Sequence, residues 1–297
     1  MDSIKKGYLL NALSVLMMAI GPLLSKFGLL HISPAKAAVI NTATIIIASY
    51  LWGVFSRKRV RFYVEKEIIW LALFNSLGVI FLFISMDLLS PVEVGFLGRF
   101  YTVFAVFLSV FILGEKMPKG EGSFIVLAIL GAFLFVNKGG VSETSIMGSI
   151  FALLYTFFFA LTNVFIKKTV SGEKNSNSIL FTNNCVTMLF VLIYSVIVGE
   201  LFNTQHQVEG VLLIVLSSIL TGFLGTILLY EALKYLRFSI ANVSRAMSPI
   251  LLAAMSYPFF PVELTLLNLI GAGLLVISIL LLSIGDQQKE KLKKQAS

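Results

Sequence analysis

The chain has little of what soluble enzymes and secreted domains are built from. Its 297 residues include one cysteine, Cys185, two histidines, His31 and His206, and seven prolines, and only 13% are charged. Soluble domains carry roughly 25% charged residues. A single cysteine excludes an internal disulfide and a cysteine-rich metal centre. His31 and His206 fall in separate connecting segments, no paired-carboxylate metal motif occurs inside the apolar runs, and no GxxxxGK loop is present to cradle a nucleotide phosphate. An enzyme, a bound metal and a cofactor are therefore not expected.

What the chain has in abundance is apolar sequence: 58% of residues are hydrophobic and the mean hydropathy is +0.94. Polar residues gather in short clusters between runs long enough to cross a bilayer core of about 30 Å. Ten spans are expected, at 7–30, 37–55, 67–89, 92–114, 120–137, 146–167, 178–199, 211–234, 238–260 and 264–284. The first run is too long for the apolar region of a cleavable signal and has no small-residue cleavage site, so it reads as the first spanning helix. The net charge of +8 is not a nucleic-acid footprint, because no basic stripe with interleaved aromatics occurs. On the ten-span reading, 18 of the 23 lysines and arginines fall on one side, and only Lys26, Lys36 and Lys138 on the other. The positive-inside rule makes the first side cytoplasmic, with both termini inside and the chain in the cell (inner) membrane.

Displaced by 141 to 147 residues, the chain matches itself. "AIGPLLSKFG" from residue 19 aligns with "ALTNVFIKKT" from 160, setting Lys26 opposite Lys167; "INTATIII" from 40 aligns with "NNCVTMLF" from 183; "LFISMDLL" from 82 aligns with "LYEALKYL" from 229; "GRFYTV" from 98 aligns with "SRAMSP" from 244. Residues 1–140 and 141–297 thus form two five-helix units. Five is odd, so the second enters the membrane inverted, an arrangement typical of secondary transporters with one central site. The expected fold is all-α: ten transmembrane helices as two inverted repeats around a cavity.

The stretches "LSVFILGEKM", "LLYEALKYL" and "LLNLIGAGLLVISILLL", with the duplicated unit, resemble the EamA-type permeases of the drug/metabolite transporter superfamily. The resemblance covers nearly the whole chain and implies a ten-helix fold, a central cavity and movement of small organic solutes, often outward. It does not name the solute.

Two arginines inside expected spans, Arg99 and Arg245, are the costliest residues to place in lipid, so each requires a partner or a wet cavity. Asp87 and Glu93 could neutralise Arg99, and Glu231 could neutralise Arg245, which would make the arginines structural. Alternatively, the planar guanidinium forks bind a carboxylate or phosphate on the substrate, with the carboxylates as gates or proton carriers. Asn41, Thr44, Asn184 and Thr187 occupy matched positions three apart, on one helical face in each half. They either hydrogen-bond helix to helix or line a cavity, and Asn75 and Asn163 are further candidates. Pro22 and Pro249 are positioned to kink their helices, and Lys26 and Lys167, near helix ends, are expected to snorkel to the interface. The resulting expectation is secondary transport of a small anionic or zwitterionic metabolite by alternating access. Two alternatives stay open: efflux of amphipathic or cationic compounds with structural arginines, and a non-transporting scaffold or sensor.

Overall fold

The computed structural model describes residues 3–98, 100–114, 121–136, 143–170, 174–201, 207–236, 248–260, 265–274, 276–278 and 281. Every regular element among them is helical: α1 (Ser3–Leu29), α2 (Pro34–Phe55), α3 (Lys66–Leu88), α4 (Pro91–Leu97), α5 (Phe100–Leu113), α6 (Glu121–Val136), α7 (Glu143–Val170), α8 (Ser176–Ile197), α9 (Val208–Ser217), a π-helical segment (Ser218–Gly225), α10 (Thr226–Tyr235) and α11 (Ser248–Ser256). A further apolar helix, α12, covers 266–274. Among the described residues six helices are long and apolar enough to cross a membrane, and α9, the π segment and α10 together form one of them, Val208–Tyr235. Large apolar side chains such as Phe55 (80% exposed) and Ile197 (77%) face outward. That is the surface a lipid-embedded bundle presents, since all backbone groups are satisfied inside the helices.

Local chemistry sets the helix ends. Ser33 caps α2, its Oγ accepting from Lys36 N at 3.4 Å, with Pro34 at the first helical position. Asn175 caps α8, its Oδ1 accepting from the backbone N–H groups of Asn177 and Ser178 at 2.9 and 3.1 Å. The expected single span 92–114 is instead two helices, α4 and α5. Ser90 and Glu93 form a capping box that starts α4, with Ser90 N donating to Glu93 Oε2 at 2.8 Å and Glu93 N to Ser90 Oγ at 3.2 Å. A turn at Gly98 ends it, where a Cβ would lie 2.7 Å from the Tyr155 hydroxyl and 3.0 Å from the Val94 carbonyl oxygen.

Packing fixes the relative directions of the helices. Phe74 of α3 meets Phe158 and Phe165 of α7, and Phe81 meets Phe151 and Phe158, so α3 and α7 run antiparallel along an aromatic ladder with centroids 5.6 to 6.4 Å apart. Asn177 near the start of α8 donates to the Ser49 carbonyl near the end of α2 at 2.8 Å, so this pair is antiparallel too. Small residues let α1 approach the Val208–Tyr235 helix: a Cβ on Gly21 would fall 2.6 Å from Thr221 Cβ, and one on Gly28 3.2 Å from the Gly210 carbonyl oxygen. In a bilayer, where lipid is as apolar as leucine, this close fit replaces the hydrophobic drive of soluble proteins.

Two buried apolar clusters result. One gathers Ile68, Leu71, Leu108, Ile166, Ile179 and Leu233; the other gathers Leu29, Ile32, Met86, Leu89, Val94, Ala152 and Tyr155. Both contribute to the wall of a central cavity, Ile45, Ile166 and Leu229 from the first and Val79, Phe83 and Val94 from the second.

Candidate solute cavity and its two lysine clasps

The central cavity has a volume of 270 Å³ and takes its wall from α1, α2, α3, α4, Gly98 and α5 of the first half, and from α7, α8, α9, the π segment, α10 and α11 of the second. Apolar residues, Val79, Leu82 and Phe83 from α3 and Phe159 and Ile166 from α7 among them, supply most of the surface. Into it project amides and hydroxyls: Asn41, Asn75, Asn163, Asn183 and Asn184, with Ser25, Thr162, Thr221, Thr226 and three tyrosines, Tyr101, Tyr155 and Tyr230. Among the described residues no charged side chain lines it.

Sequence reasoning named four of these residues, Asn41, Asn75, Asn163 and Asn184. Thr44 and Thr187 are not in the wall. The Thr44 hydroxyl donates to its own helix at Ile40 O (2.7 Å). Thr187 is buried behind the cavity, accepting from Asn75 Nδ2 at 3.0 Å while donating to Ala72 O at 3.4 Å. Asn183 and the tyrosines were missed. Asn183 is adjacent to the matched Asn184 in "NNC", so its doubling was the available signal; nothing in spacing marks the tyrosines. Arg99 and Arg245 lie outside the described residues, as does the side chain of Pro249. Pro22 lies inside α1 and in the wall.

The carboxylates stand apart from the cavity wall. Glu93 is buried and serves the α4 capping box. Asp87 is exposed at the end of α3. Glu231 pairs with Lys234 at 2.7 Å, in a separate cleft with Trp52, Lys58 and Arg59.

Lys26 and Lys167 each bond the end of a neighbouring helix. Lys26 Nζ donates to the carbonyls of Met86 and Asp87 at 2.7 and 2.9 Å, at the C-terminus of α3. Lys167 Nζ donates to the carbonyls of Leu233 and Leu236 at 3.1 and 3.4 Å, at the C-terminus of α10. The last carbonyls of a helix have no partner in the helix and carry its negative dipole end, so an ammonium satisfies both needs. Met86 and Leu233 are matched positions of the two halves, as are the two lysines. Because α3 and α7 are antiparallel, the two clasps sit at opposite ends of the cavity.

A helical bundle of membrane-crossing length, with a mostly apolar cavity carrying amides and hydroxyls from both halves of the chain, defines a multi-pass membrane protein of transporter type. The profile of the EamA-like transporter family matches residues 5–137 and again 146–284, and the chain belongs to that family. A solved crystal structure superposes with a TM-score of 0.68 at 14% identity, covering 96% of this chain and 99% of the other, a likeness of fold. No curated protein matches the chain.

Proposed function

We propose that the protein is a secondary transporter that carries a small organic solute across the cell membrane by alternating access through the central cavity. The observation that carries this reading is one central cavity drawn from both halves of the chain, with a matched lysine clasp toward each end. In this reading the chain has ten transmembrane helices as two inverted five-helix repeats, with cytoplasmic termini. α3 and α10 are the helices whose ends separate from α1 and α7 in turn. Releasing Lys26 from the α3 carbonyls opens one end; releasing Lys167 from the α10 carbonyls opens the other.

Of the solute classes drawn from the sequence, an amphipathic, cationic or zwitterionic one fits the described wall better than a simple anion, because amides, hydroxyls and rings line it. Arg99, next in sequence to the wall residue Gly98, and Arg245 are proposed to serve any anionic group such a solute carries.

Counterflow in proteoliposomes tests transport. Solute-dependent exchange that Arg99→Gln or Arg245→Gln weakens at unchanged folded yield is expected. Absence of protein-dependent exchange across a broad metabolite panel would leave the scaffold reading in its place.

A further inference from the structure

Several hydroxyl hydrogens of the cavity wall are already spent. Thr162 Oγ1 donates to Phe158 O at 2.9 Å and Thr221 Oγ1 to Met17 O at 3.2 Å. Ser217 Oγ donates to Gly21 O at 2.7 Å, so the 2.7 Å bond between Ser25 and Ser217 uses the Ser25 proton. Tyr155 gives its proton to Val94 O at 3.0 Å. A hydroxyl has one proton, so none of these groups has a proton left to give a guest.

The carboxamides are oriented the same way. Asn163 Nδ2 donates to Phe159 O at 2.7 Å and Asn184 Nδ2 to Leu180 O at 2.9 Å. A carbonyl can only accept, so neither amide can be flipped. Asn75 Nδ2 donates to Thr187 Oγ1, whose own proton goes to Ala72 O, which fixes that amide as well. Each of the three keeps its whole oxygen and at most one N–H. Asn183 is 2% exposed, and its Oδ1 has no partner among the described residues. Whichever way its amide is turned, it brings one unpaired polar atom into the wall, and such an atom buried without a partner is costly.

We infer that the cavity is built for a solute that donates hydrogen bonds through an ammonium group attached to an apolar, aromatic-compatible body. This deepens the transport reading and rests on it for the site's role. A wall rich in oxygen lone pairs stabilises N–H donors and positive charge, and repels a carboxylate that offers lone pairs of its own. The π faces of Phe159 and the wall tyrosines add attraction for a cation. Asn41, in the wall, supplies an N–H that a polar substituent elsewhere on the solute would bond.

The test is equilibrium binding of radiolabelled 2-phenylethylamine to the full chain in phosphatidylcholine nanodiscs, compared with its N,N,N-trimethyl analogue and with 3-phenylpropanoate. The trimethyl analogue keeps the charge and has no N–H. Expected is saturable amine binding, weakened about tenfold by trimethylation, with no displacement by the propanoate. Asn163→Leu and Asn184→Leu should each weaken amine binding severalfold. Their replaced side chains bond only one turn back in their own helices, so both variants should keep the wild-type melting profile.

Equal binding of the amine and its trimethyl analogue, preference for the propanoate, or no amine binding would overturn the inference. Amine binding in the expected order without counterflow in proteoliposomes would uphold it and count against transport alone.

Discussion

Two seams occupy matched places in the two halves of the molecule and are built from opposite chemistry. Between α3 and α7 the contact is a ladder of phenylalanines, Phe74 and Phe81 against Phe151, Phe158 and Phe165. The polar link from Thr162 Oγ1 of α7 to Leu71 O of α3 there is long, at 3.4 Å. Between α1 and the Val208–Tyr235 helix the contact is stitched by hydroxyls. Ser14 donates to Gly225 O at 2.6 Å, Ser217 to Gly21 O at 2.7 Å and Thr221 to Met17 O at 3.2 Å. Only the hydroxyl seam contains a π segment. A π turn shifts carbonyls out of the i→i−4 ladder, and π turns concentrate at functional sites. Here Thr226 Oγ1 bonds Thr221 O at 3.1 Å and Ser14 bonds the terminal Gly225 carbonyl, so outside donors hold the segment in place. The difference teaches that duplication preserved the two lysine clasps while the cavity side of each seam diverged. Rings resist sliding, whereas hydroxyl bonds to a backbone can be exchanged one for another.

The strongest way to break this comparison is to crowd each seam at its glycine. A Cβ on Gly21 would lie 2.6 Å from Thr221 Cβ, which is anchored to its backbone, so the helices must separate. A Cβ on Gly78 would lie 2.4 Å from a ring carbon of Phe159, and a ring can turn. Gly21→Ala should therefore cost about 3 kcal/mol, at the upper end of overpacking penalties, and Gly78→Ala about 1 kcal/mol. Thermal melts in detergent, read by fluorescence size exclusion, would rank them; equal losses would mean the seams are equally compliant.

Next in size are the clasps. Lys26→Met and Lys167→Met each leave two helix-terminal carbonyls without their ammonium, and each should lower stability by about 1 to 3 kcal/mol. The two losses should be alike, because each ammonium bonds two helix-end carbonyls and one of each pair, Met86 and Leu233, is matched. A loss confined to one lysine would reduce the clasps to an accident of one half.

The sequence displayed the duplication, the apolar spans and four of the wall asparagines, because these depend on residue type repeated at fixed spacing. Span boundaries fell within a few residues for α1 to α3 and for α7 and α8. It did not display the division of the 92–114 run, which depends on the Ser90–Glu93 capping box and on Tyr155 crowding Gly98 from another helix. It did not display the π segment either, since its end is held by the hydroxyl of Ser14, 211 residues away in α1. For Lys26 and Lys167, proximity to a helix end was legible, but the identity of the neighbouring helix end was not, so the interface was expected to receive them.

The smallest expected effect sharpens the comparison at a helix end. α2 and α8 finish with the same backbone pattern: Lys58 N bonds Gly53 O at 3.0 Å as Glu200 N bonds Ser195 O at 3.0 Å. The left-handed residue is Arg57, φ 53°, in one and Gly199, φ 77°, in the other. Only glycine takes that conformation without strain. Arg57→Gly should raise stability by about 0.5 to 1 kcal/mol, and Gly199→Ala should lower it by about 1 kcal/mol. Destabilisation by Arg57→Gly in the same melts would show that the arginine makes a compensating contact.

Alternating access requires a cavity that opens to one side at a time, released by one lysine and held shut by the other. The direct measurement is labelling of Asn184→Cys, in a Cys185→Ser background, by an impermeant maleimide added to one face of right-side-out or inverted vesicles. Lys26→Met should raise the labelling rate severalfold from the face at which α3 ends and leave the other unchanged, and Lys167→Met should do the reverse. Labelling that rises equally from both faces in either variant, or from neither, would contradict alternating access through this cavity.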